Sequence, residues 1–470
     1  MPDNGNLWNY NLNYFEWLSQ EQPHLSHQEA TKVIDHWIIS NPPGSSRAWD
    51  PYPVSLRIIN WIRFSLEEGS IESVNQSLAY QARWLSSRIE IHLLGNHYLV
   101  NGVALLFAGH YFDGPEADSW LEAGWSIVSK ELRLEVLEDG GHFERSPMYH
   151  SLILEDVLNL LNLSKTYPDR SPVGLKPLCE HKASMMLRWL QKMTYYDGSF
   201  PLFNDAANGI ASSRSDLEAY AERLSICSIP EWESERGIHN LKDSGFARIE
   251  NEDAIIFAEI GGPGPSFQPG HAHAGTLGFE LMVGGCKILV DTGTNTYNAC
   301  PERDHLRSTS AHNTLTVDGK SSSEVWSSFR VGRRAIGKCV SYEEDSTSPV
   351  QALTAEHDGY RILGQGGLHL REWALSDGCL ELSDAISDLG EGSMVEIRFH
   401  FAPAINISRR GDSWSANCAQ LQIEIAECIG FDYSLETYEY RPEFGAAVPA
   451  QCLVACMIAT EVNVTHRLNW

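Results

Sequence analysis

Apolar positions in the first half of the chain recur with the spacing of amphipathic helices. From about residue 15 to 235 such segments follow one another with short Gly, Pro or Asp punctuation, which is typical of a succession of helical hairpins. The first half of the chain is therefore predicted to be helical. The clearest segments are SLAYQARWLSSRIEIHLL (77–94), HYLVNGVALLFAGHYF (97–112), SWLEAGWSIVSKELRLEVL (119–137) and MYHSLILEDVLNLLNLSKTY (148–167).

Beyond about residue 240 the pattern changes to short alternating or apolar runs separated by Gly and Asn or Asp turns, which predicts antiparallel sheets. The polar segment 229–245 separates the two patterns. We therefore expect a helical domain over residues 1–235 and a sheet domain over residues 236–470. The predicted strand runs are FARIE, AIIFAEI, LGFELMVGG, KILVDTG, NTLTVDGK, MVEIRFHFAP and LQIEIAE.

The composition is that of an ordinary globular protein and narrows the class of partner. The chain has 470 residues, of which 43% are hydrophobic and 21% charged, enough for two or three domains. A formal net charge of -27, with no long basic run to offset it, argues against nucleic acid as a partner. Binding of a polyanion would need a local basic cleft on this acidic body. A candidate cluster is Arg303, Arg307, Arg330, Arg333 and Arg334, for which surface solubility charge is the alternative.

The sequence shows neither a membrane span nor an export signal. No apolar run approaches the roughly 20 residues that cross a bilayer, and the first residues lack the basic and apolar regions of a signal peptide. The location stays open: cytoplasmic for the sequence as written, periplasmic or secreted if the N-terminus is trimmed. The ten cysteines are dispersed, so neither a CxxC metal pattern nor a disulfide framework is predicted. No oligomeric state is predicted.

The densest group of chemically active residues lies in the sheet half, in PGHAHAGTLGFELMVGGCKILVDTGTNTY and RSTSAHNTLTVDGK. On a strand, His271 and His273 would point the same way, and Asp291 and His312 could converge on one of them. Two imidazoles and one carboxylate suit zinc. The predicted ligands are thus His273, Asp291 and His312, with His271 left for chemistry; the alternative is a set of hydrogen-bonded strand and turn residues.

A second group lies in LLGNHYLVNGVALLFAG, at the start of a strongly apolar helix. Amide and imidazole donors at a helix N-terminus are well placed to hold an anion, because the unpaired backbone N–H groups and the helix dipole add to them. Asn96 and His97 could therefore hold a carboxylate. The alternative is that Asn96 is an ordinary N-cap.

The third group is EDGGHFERSPMYHSLILEDVL, in which a glycine-rich turn leads through Glu144 and Arg145 into a helix opening near Tyr149. A tyrosine transfers protons usefully only if cationic neighbours lower its pKa or if it donates in a desolvated site. Arg145 and nearby histidines could supply such an environment. The alternative is a packing role for Tyr149.

Together the three groups supply what β-elimination from a uronate requires: neutralisation of the C6 carboxylate, a base for the C5 proton, and an acid for the leaving oxygen. Asn96 and His97 would neutralise the carboxylate, and Tyr149 would protonate the glycosidic oxygen. If base and leaving group share a face, Tyr149 can do both jobs. Elimination from opposite faces would make His271 the base.

The motifs NHYLVNG, DGGHFERSPMYH, HAHAG-TLGFEL, VDTGT, RSTSAHNTLTVDG and RFHFAP resemble those of the heparinase II/III-like polysaccharide lyases, whose relatives include alginate lyases and broad-specificity glycosaminoglycan lyases. The resemblance implies an incomplete (α/α) toroid followed by an antiparallel β-sandwich, with the catalytic cleft between them. It also implies cleavage of an acidic polysaccharide (a glycosaminoglycan, alginate or a bacterial exopolysaccharide) to unsaturated uronate products.

Residue by residue, the resemblance assigns carboxylate neutralisation to Asn96 and His97 and catalytic roles to Tyr149 and His271. It implies one divalent metal, zinc before manganese or calcium, with a structural role. Gly275 departs from the Asp or Asn that the family often has at this position. The predicted metal ligands are His273, Asp291 and His312, and the predicted substrate contacts are Glu144, Arg145, Arg303, Arg307 and Trp326.

Two other functions compete with the lyase. Helical toroids with aromatic clefts also serve glycoside hydrolases, for which Glu144, Asp197 and Asp205 are candidate carboxylates. A non-catalytic glycan-binding protein of capsule or exopolysaccharide assembly is the second alternative. An unsaturated uronate product separates the lyase from both.

Overall fold

The computed structural model describes residues 6–19, 25–69, 71–226, 236–418 and 421–470. Helices occupy most of the chain before residue 226, as the apolar spacing predicts. The bounds of the described α-helices, including two short ones beyond residue 226, are α1 (Asn6–Asn11), α2 (His27–Ser40), α3 (Pro51–Glu68), α4 (Glu72–Ser86), α5 (Gly95–Tyr111), α6 (Pro115–Glu135), α7 (Pro147–Thr166), α8 (Leu175–Lys192), α9 (Arg214–Arg223), α10 (Pro301–Leu306) and α11 (Gly359–Ile362).

The helix α5 is apolar on all sides, and its residues from Leu99 to His110 are buried. Such a helix must be covered by neighbours on every face. Glycines allow α6 to approach it closely: a Cβ on Gly109 would lie 2.5 Å from Leu121 Cγ, and one on Gly124 would lie 2.8 Å from the carbonyl oxygen of Gly102. This buried helix carries Asn96 and His97 in its first turn.

Antiparallel strands follow from residue 237 onward, and each of the seven predicted runs contains or overlaps one. The strands form a five-stranded sheet (β1 to β5 in order), an eight-stranded sheet (β14-β15-β16-β19-β12-β11-β10-β9), a four-stranded sheet (β17-β18-β13-β6) and the hairpin β7-β8. Their bounds are β1 (Gly237–Leu241), β2 (Phe246–Glu250), β3 (Ala254–Glu259), β4 (Phe279–Val283), β5 (Cys286–Leu289), β6 (Leu315–Val317), β7 (Val325–Trp326), β8 (Arg330–Val331), β9 (Gly337–Tyr342), β10 (Val350–His357), β11 (His369–Ser376), β12 (Cys379–Ile386), β13 (Met394–His400), β14 (Asn406–Arg410), β15 (Ser413–Asn417), β16 (Gln422–Ala426), β17 (Asp432–Tyr440), β18 (Val448–Ile458) and β19 (Val462–Asn469).

The three larger sheets share one apolar core, to which they contribute Phe279, Trp373 and Phe399 among others. In the long strands β10, β11 and β12, buried and less buried residues alternate, which is the pattern of strands with one face on a core. Burial of this shared face holds the sheets as a sandwich.

The described residues divide into two compact units. Unit 1 comprises Met1–Val136, Ile153–Ser184 and Tyr220–Ile226, and unit 2 comprises Leu137–Leu152, Met185–Ala219 and Cys227–Trp470. Two stretches of the helical half thus belong to the same compact unit as the sheets. The predicted boundary between residues 235 and 236 borders on residues 227–235, which lie outside the described residues, and it stays a prediction. Among the described helices, none has the length and apolarity needed to cross a membrane.

Candidate active site

Tyr149 and His271 form a close aromatic pair in unit 2. Tyr149 lies in the first turn of α7, and its ring centroid is 4.0 Å from that of His271. The Tyr149 hydroxyl is 3.0 Å from the hydroxyl of Tyr297. Because the His271 side chain keeps 15% of its surface exposed, the phenol and the imidazole are presented side by side near solvent. The structure brings together these two predicted catalytic residues.

His271 and His273 do not lie on a strand, so that part of the prediction is wrong. They occupy a loop before β4, in which the backbone N–H of Ala272 donates to the carbonyl of Pro269. Proline and glycine turns around this segment prevent a regular ladder. The two rings are nevertheless brought to one carboxylate, that of Asp205.

Asp205 lies beneath the pair and is fully buried. Its Oδ2 accepts from His271 Nδ1 and its Oδ1 from His273 Nε2, both at 2.9 Å. Arg303 donates to both carboxylate oxygens through its two terminal nitrogens. Burial alone raises the pKa of Asp205, but the charge of Arg303 and these hydrogen bonds hold that pKa well below its ordinary value.

Arg303 and Arg307 are both fully buried and bound to protein acceptors. Besides the Asp205 carboxylate, Arg303 donates to the carbonyl of Ser328. Arg307 donates to the carbonyls of Ala272 and Ser327. Direct contact with substrate, predicted for both arginines, stays a prediction, and these hydrogen bonds favour an indirect role in which they fix the histidine loop and the hairpin β7-β8.

The hairpin β7-β8 carries two exposed aromatic rings. Trp326 is 49% exposed and Phe329 is 44% exposed. The ring of Phe329 meets His271 edge to face, with centroids 6.0 Å apart. Aromatic faces of this kind can stack on sugar rings. The predicted substrate residue Trp326 therefore lies on the hairpin that borders His271.

Glu144 and Arg145, the other predicted substrate residues, lie in the turn before α7. Oε2 of Glu144, a buried side chain, is 3.9 Å from His271 Nε2. Arg145 has a left-handed backbone (φ 57°), and its guanidinium group donates to the carbonyl of Gly262. Glu144 is thus next to the pair of Tyr149 and His271, whereas Arg145 donates to the backbone of the glycine-rich segment near residue 262. Their substrate contacts stay predictions.

The three predicted metal ligands lie close together but are not arranged as a complete ligand set. The rings of His273 and His312 have centroids 5.5 Å apart, and Asp291 Oδ2 is 2.6 Å from His312 Nδ1. Within the described ranges, no three His, Cys, Asp or Glu side chains are placed to hold a metal ion. Even so, His273 Nδ1 and His312 Nε2 are buried and have no hydrogen-bond partner among the described residues. Two such imidazole nitrogens fit the donor chemistry of zinc.

Gly275, the departure from the family pattern, adjoins this group. A Cβ at this position would lie 2.9 Å from Glu259 Oε2 and 3.3 Å from the His312 ring. Glu259 itself is buried, and burial raises its pKa to about 7. Its carboxyl group therefore occupies the space in which a larger residue at position 275 would begin.

Asn96 and His97 belong to unit 1. The N-cap of α5 is Leu94 rather than Asn96, so the alternative of an ordinary Asn96 cap is wrong. Leu94 and Gly95 both adopt positive φ angles, which turn the chain sharply into the helix. The His97 ring stacks on Tyr52 with centroids 4.3 Å apart, and its Nδ1 is 3.3 Å from Glu90 Oε2. The carboxylate-neutralising role of Asn96 and His97 stays a prediction.

Several residues of the site were missed. Tyr297 and Phe329 were not predicted to act at all, and Asp205 was considered only as a hydrolase carboxylate. The sequence offers a weak signal for Asp205, which stands in the polar turn FNDAANG between apolar segments. No local pattern distinguishes Tyr297 or Phe329 from ordinary packing residues.

Two family models together match most of the chain. A family model described as Heparinase II/III N-terminus matches residues 22–226, and one described as Heparinase II/III-like, C-terminal matches residues 233–454. A heparin-sulfate lyase of Bacteroides stercoris is 22% identical over 344 residues, which cover 65% of this chain and 49% of that protein. The chain spans about half the length of the heparin-sulfate lyases that it matches.

Two further likenesses cover nearly the whole chain. The FtsZ-localized protein C of Caulobacter vibrioides is 23% identical, over 93% of this chain and 80% of that protein. A crystal structure of heparinase III aligns with a TM-score of 0.73 at 17% identity, over 94% of this chain and 73% of that one. This likeness confirms the predicted fold class, an incomplete (α/α) toroid followed by an antiparallel β-sandwich. With both family models matched along its length, the chain belongs to the heparinase II/III-like family.

Proposed function

We propose that this protein is a polysaccharide lyase that cleaves an acidic, uronate-containing polysaccharide by β-elimination. The observation that carries the proposal is the close, tilted pair of Tyr149 and His271, whose ring centroids are 4.0 Å apart. A phenol and an imidazole at this spacing can reach the proton and the leaving oxygen of one sugar unit. Membership of the heparinase II/III-like family supports the same reaction class.

Each member of the pair has a neighbour suited to proton transfer. Since the Asp205 carboxylate accepts the proton of His271 Nδ1, the Nε2 atom retains its lone pair and can act as base. Burial holds the pKa of Tyr297 well above its ordinary value, so its hydroxyl stays protonated and can donate to the Tyr149 oxygen. That hydrogen bond would stabilise charge that develops on Tyr149. Tyr149 alone would serve both steps in elimination from one face, and His271 would be the base in elimination from opposite faces.

The carboxylate-neutralising step is assigned, as predicted from the sequence, to Asn96 and His97. Their position in the first turn of α5 supports this role, since side-chain donors, backbone N–H groups and the helix dipole all favour an anion there. Neutralisation of the C6 carboxylate is what makes the C5 proton acidic. Asn96→Ala is therefore expected to lower kcat rather than only to raise KM.

The proposed substrate class is a glycosaminoglycan or a related uronate polymer. The curated relatives named heparin-sulfate lyase support the glycosaminoglycan class. The exposed rings of Trp326 and Phe329 would bind a sugar unit next to the catalytic pair. With a net charge of -27, attraction for the polymer must come from local donors rather than from the field of the whole protein.

We further propose one structural zinc ion held by His273, His312 and Asp291. The unpartnered nitrogens His273 Nδ1 and His312 Nε2 support two of these ligands. Asp291 contacts the other nitrogen of His312, so its role as a direct ligand is the least supported. Bound there, the ion would tie the histidine loop to the segment that carries His312.

The glycoside hydrolase alternative has little support. Hydrolysis by two carboxyl groups needs both to reach the bond or its water. Asp205 is fully buried, and His271, His273 and Arg303 occupy its oxygens. The Asp205 carboxylate is therefore excluded as the acid or base of a hydrolase.

A non-catalytic glycan-binding protein is the second candidate. The observation in its favour is the match to FtsZ-localized protein C over 93% of this chain, since that name denotes localisation and no reaction. The filled positions of Tyr149 and His271 favour the lyase instead.

A panel of uronate polymers, including heparan-type chains, hyaluronan, chondroitin and alginate, tests the proposal. We expect at least one polymer to give the ultraviolet absorbance of an unsaturated uronate when zinc is present. If the protein binds a polymer of the panel but yields no such product from any of them, the non-catalytic function replaces the lyase.

A further inference from the structure

We propose that Asp205 is a positioning residue that fixes the two histidines above it in opposite tautomers, one suited to proton transfer and the other to metal binding. For its catalytic half, this inference rests on the proposed lyase function. The observation behind it is the bridging of two imidazoles by one fully buried carboxylate through different ring nitrogens.

The hydrogen bonds assign the two tautomers. His271 approaches with Nδ1 and His273 with Nε2, each 2.9 Å from an oxygen of Asp205. An ionised carboxylate can only accept, so each of these nitrogens must carry the proton. The lone pair of His271 is then on Nε2, and that of His273 is on Nδ1. The same carboxylate therefore leaves opposite nitrogens available on the two rings.

The surroundings of each remaining nitrogen match the role that its tautomer allows. The His271 ring packs against the Tyr149 ring, where the proposed reaction needs a proton acceptor. In the part of the chain that the structure describes, the Nδ1 atom of His273 is buried without a hydrogen-bond partner, and its ring lies beside that of His312. A neutral imidazole held by a carboxylate at its far nitrogen is the usual arrangement of a metal-binding histidine.

Arg303 makes Asp205 a rigid acceptor. Its guanidinium group contacts both carboxylate oxygens and is itself fully buried, so the pair is held in one geometry. The backbone adds further restraint: the Asp205 N–H donates to the carbonyl of His271, and the Asp205 carbonyl accepts from the Ser146 hydroxyl. That hydroxyl also accepts from the backbone N–H of Tyr149. Asp205 thus links the start of α7 to the histidine loop.

A merely structural ion pair between Asp205 and Arg303 would not dictate which ring nitrogens carry protons. The tautomers are therefore the readout that distinguishes positioning from stability. They can be read in the wild-type protein, so the test does not depend on whether an Asp205 variant folds.

Nitrogen NMR of metal-free protein with labelled histidines provides the first test, with signals assigned through His271→Gln and His273→Gln. We expect the neutral His271 ring to be protonated on Nδ1 and the His273 ring on Nε2. The proposal is overturned if either ring carries its proton on the other nitrogen, or if the two rings show the same tautomer. In Asp205→Asn, at least one of the two rings should change tautomer.

Zinc affinity, measured by competition with a chelator, provides the second test. We expect Asp205→Asn to weaken binding by about 10–100-fold, as loss of a carboxylate behind a metal-binding imidazole does. The matched control is Asp384→Asn, which breaks a similar buried ion pair away from these histidines. No zinc binding by the wild type, or equal losses in both variants, would overturn the metal-binding half.

Turnover separates this inference from the proposed function. On a polymer that the wild type cleaves, Asp205→Asn should lower kcat at least about 100-fold with little change in KM, because the base presents the wrong nitrogen. An unchanged kcat in folded Asp205→Asn overturns the catalytic half. If no polymer is cleaved by the wild type while the tautomers are as stated, the lyase function fails and the assignment of protons by Asp205 stands.

Discussion

Asp205 and Asp384 are two fully buried aspartates of unit 2 with similar surroundings. Each binds one fully buried arginine through both carboxylate oxygens, Arg303 in one case and Arg371 in the other. Each also accepts a hydrogen bond from at least one imidazole. In composition, the two clusters are nearly the same.

The two clusters differ in how the ring nitrogens of their histidines are used. His369 donates to Asp384 through Nε2, and its other nitrogen is 3.2 Å from His357, so both of its ring nitrogens are used inside the core. His271 uses only Nδ1 on Asp205, keeps 15% of its side chain exposed and packs against the Tyr149 ring. Of the two clusters, only the one around Asp205 therefore has a partly exposed histidine for which we propose a role in proton transfer.

Among the variants that test this comparison, Tyr149→Phe is expected to have the largest effect on activity. Removing the hydroxyl eliminates the proposed proton donor while the ring still packs on His271, so kcat should fall by about 10²–10⁴-fold with KM little changed. Initial rates of unsaturated product formation measure this loss. Tyr297→Phe, which removes only the neighbouring hydroxyl, is the control and should cost less. Equal kcat for Tyr149→Phe and the wild type would remove Tyr149 from the mechanism.

Asp384→Asn should break the other cluster without touching the chemistry. It leaves the buried Arg371 uncompensated, so the free energy of unfolding should fall by about 3–5 kcal/mol. Urea unfolding of the whole chain measures this change. The kcat of the molecules that remain folded should stay within about twofold of the wild type, because the cluster reaches no reacting group. A loss of kcat as large as that of Asp205→Asn would show that the two clusters are not different in kind.

Removal of the metal should lower the stability of the fold, because the ion would hold the histidine loop in place. If zinc binds His273 and His312, saturation at about 100 times its dissociation constant stabilises the fold by about 3 kcal/mol. A chelator is then expected to lower Tm, and added zinc should restore it. His312→Gln should show a reduced Tm that neither treatment changes. An unaltered wild-type Tm on chelation, in protein shown to contain zinc, would contradict the structural role.

His150 extends the comparison to a fully buried imidazole for which the described residues show a carbonyl, rather than a carboxylate, as hydrogen-bond acceptor. Burial, with a smaller effect from His142, lowers the pKa of His150 to about 3, and its Nε2 donates to the Met186 carbonyl. Between pH 6.5 and that value the unfolded chain binds a proton that the folded state refuses, so the contribution of His150 to stability falls as pH falls. From pH 7 to pH 5 the wild type should lose about 2 kcal/mol more than His150→Gln. Urea unfolding at both pH values measures the difference, and parallel losses would contradict it.

The smallest effect is expected from Trp326→Ala on the hairpin β7-β8. Loss of a stacking ring should raise KM by roughly fivefold, the equivalent of about 1 kcal/mol, and leave kcat nearly unchanged. Ile336→Ala, at another exposed apolar side chain, is the control and should change neither constant. An unchanged KM for Trp326→Ala on long polymers would exclude the ring from substrate binding.

The sequence predicted the elements of the fold well because their hydrophobic periods are strong. The runs MVEIRFHFAP and LQIEIAE contain the strands β13 and β16, and the run that includes Tyr149 covers all of α7 but its first residue. The placement of His271 and His273 on a strand was wrong, since prolines and glycines around them form turns. Residues on a loop can still contact the same side chain, as both histidines contact Asp205.

The sequence alone could not predict which distant residues contact each other. Asp205 and Arg303 are 98 positions apart, and nothing in the local pattern of either predicts a bidentate contact. Arg303 and Arg307 could be interpreted from charge alone as a basic surface, whereas the structure buries both of them. Burial of a charge depends on a partner that only the folded chain supplies.

Cleavage of a susceptible uronate polymer in water labelled with heavy oxygen tests the central claim most directly. Elimination adds no water, so mass spectrometry should find fragments that end in an unsaturated uronate and a reducing end that carries no label. Hydrolysis would place the heavy oxygen at the reducing end of the new fragment. That labelled product, without the unsaturated uronate, would contradict β-elimination at Tyr149 and His271.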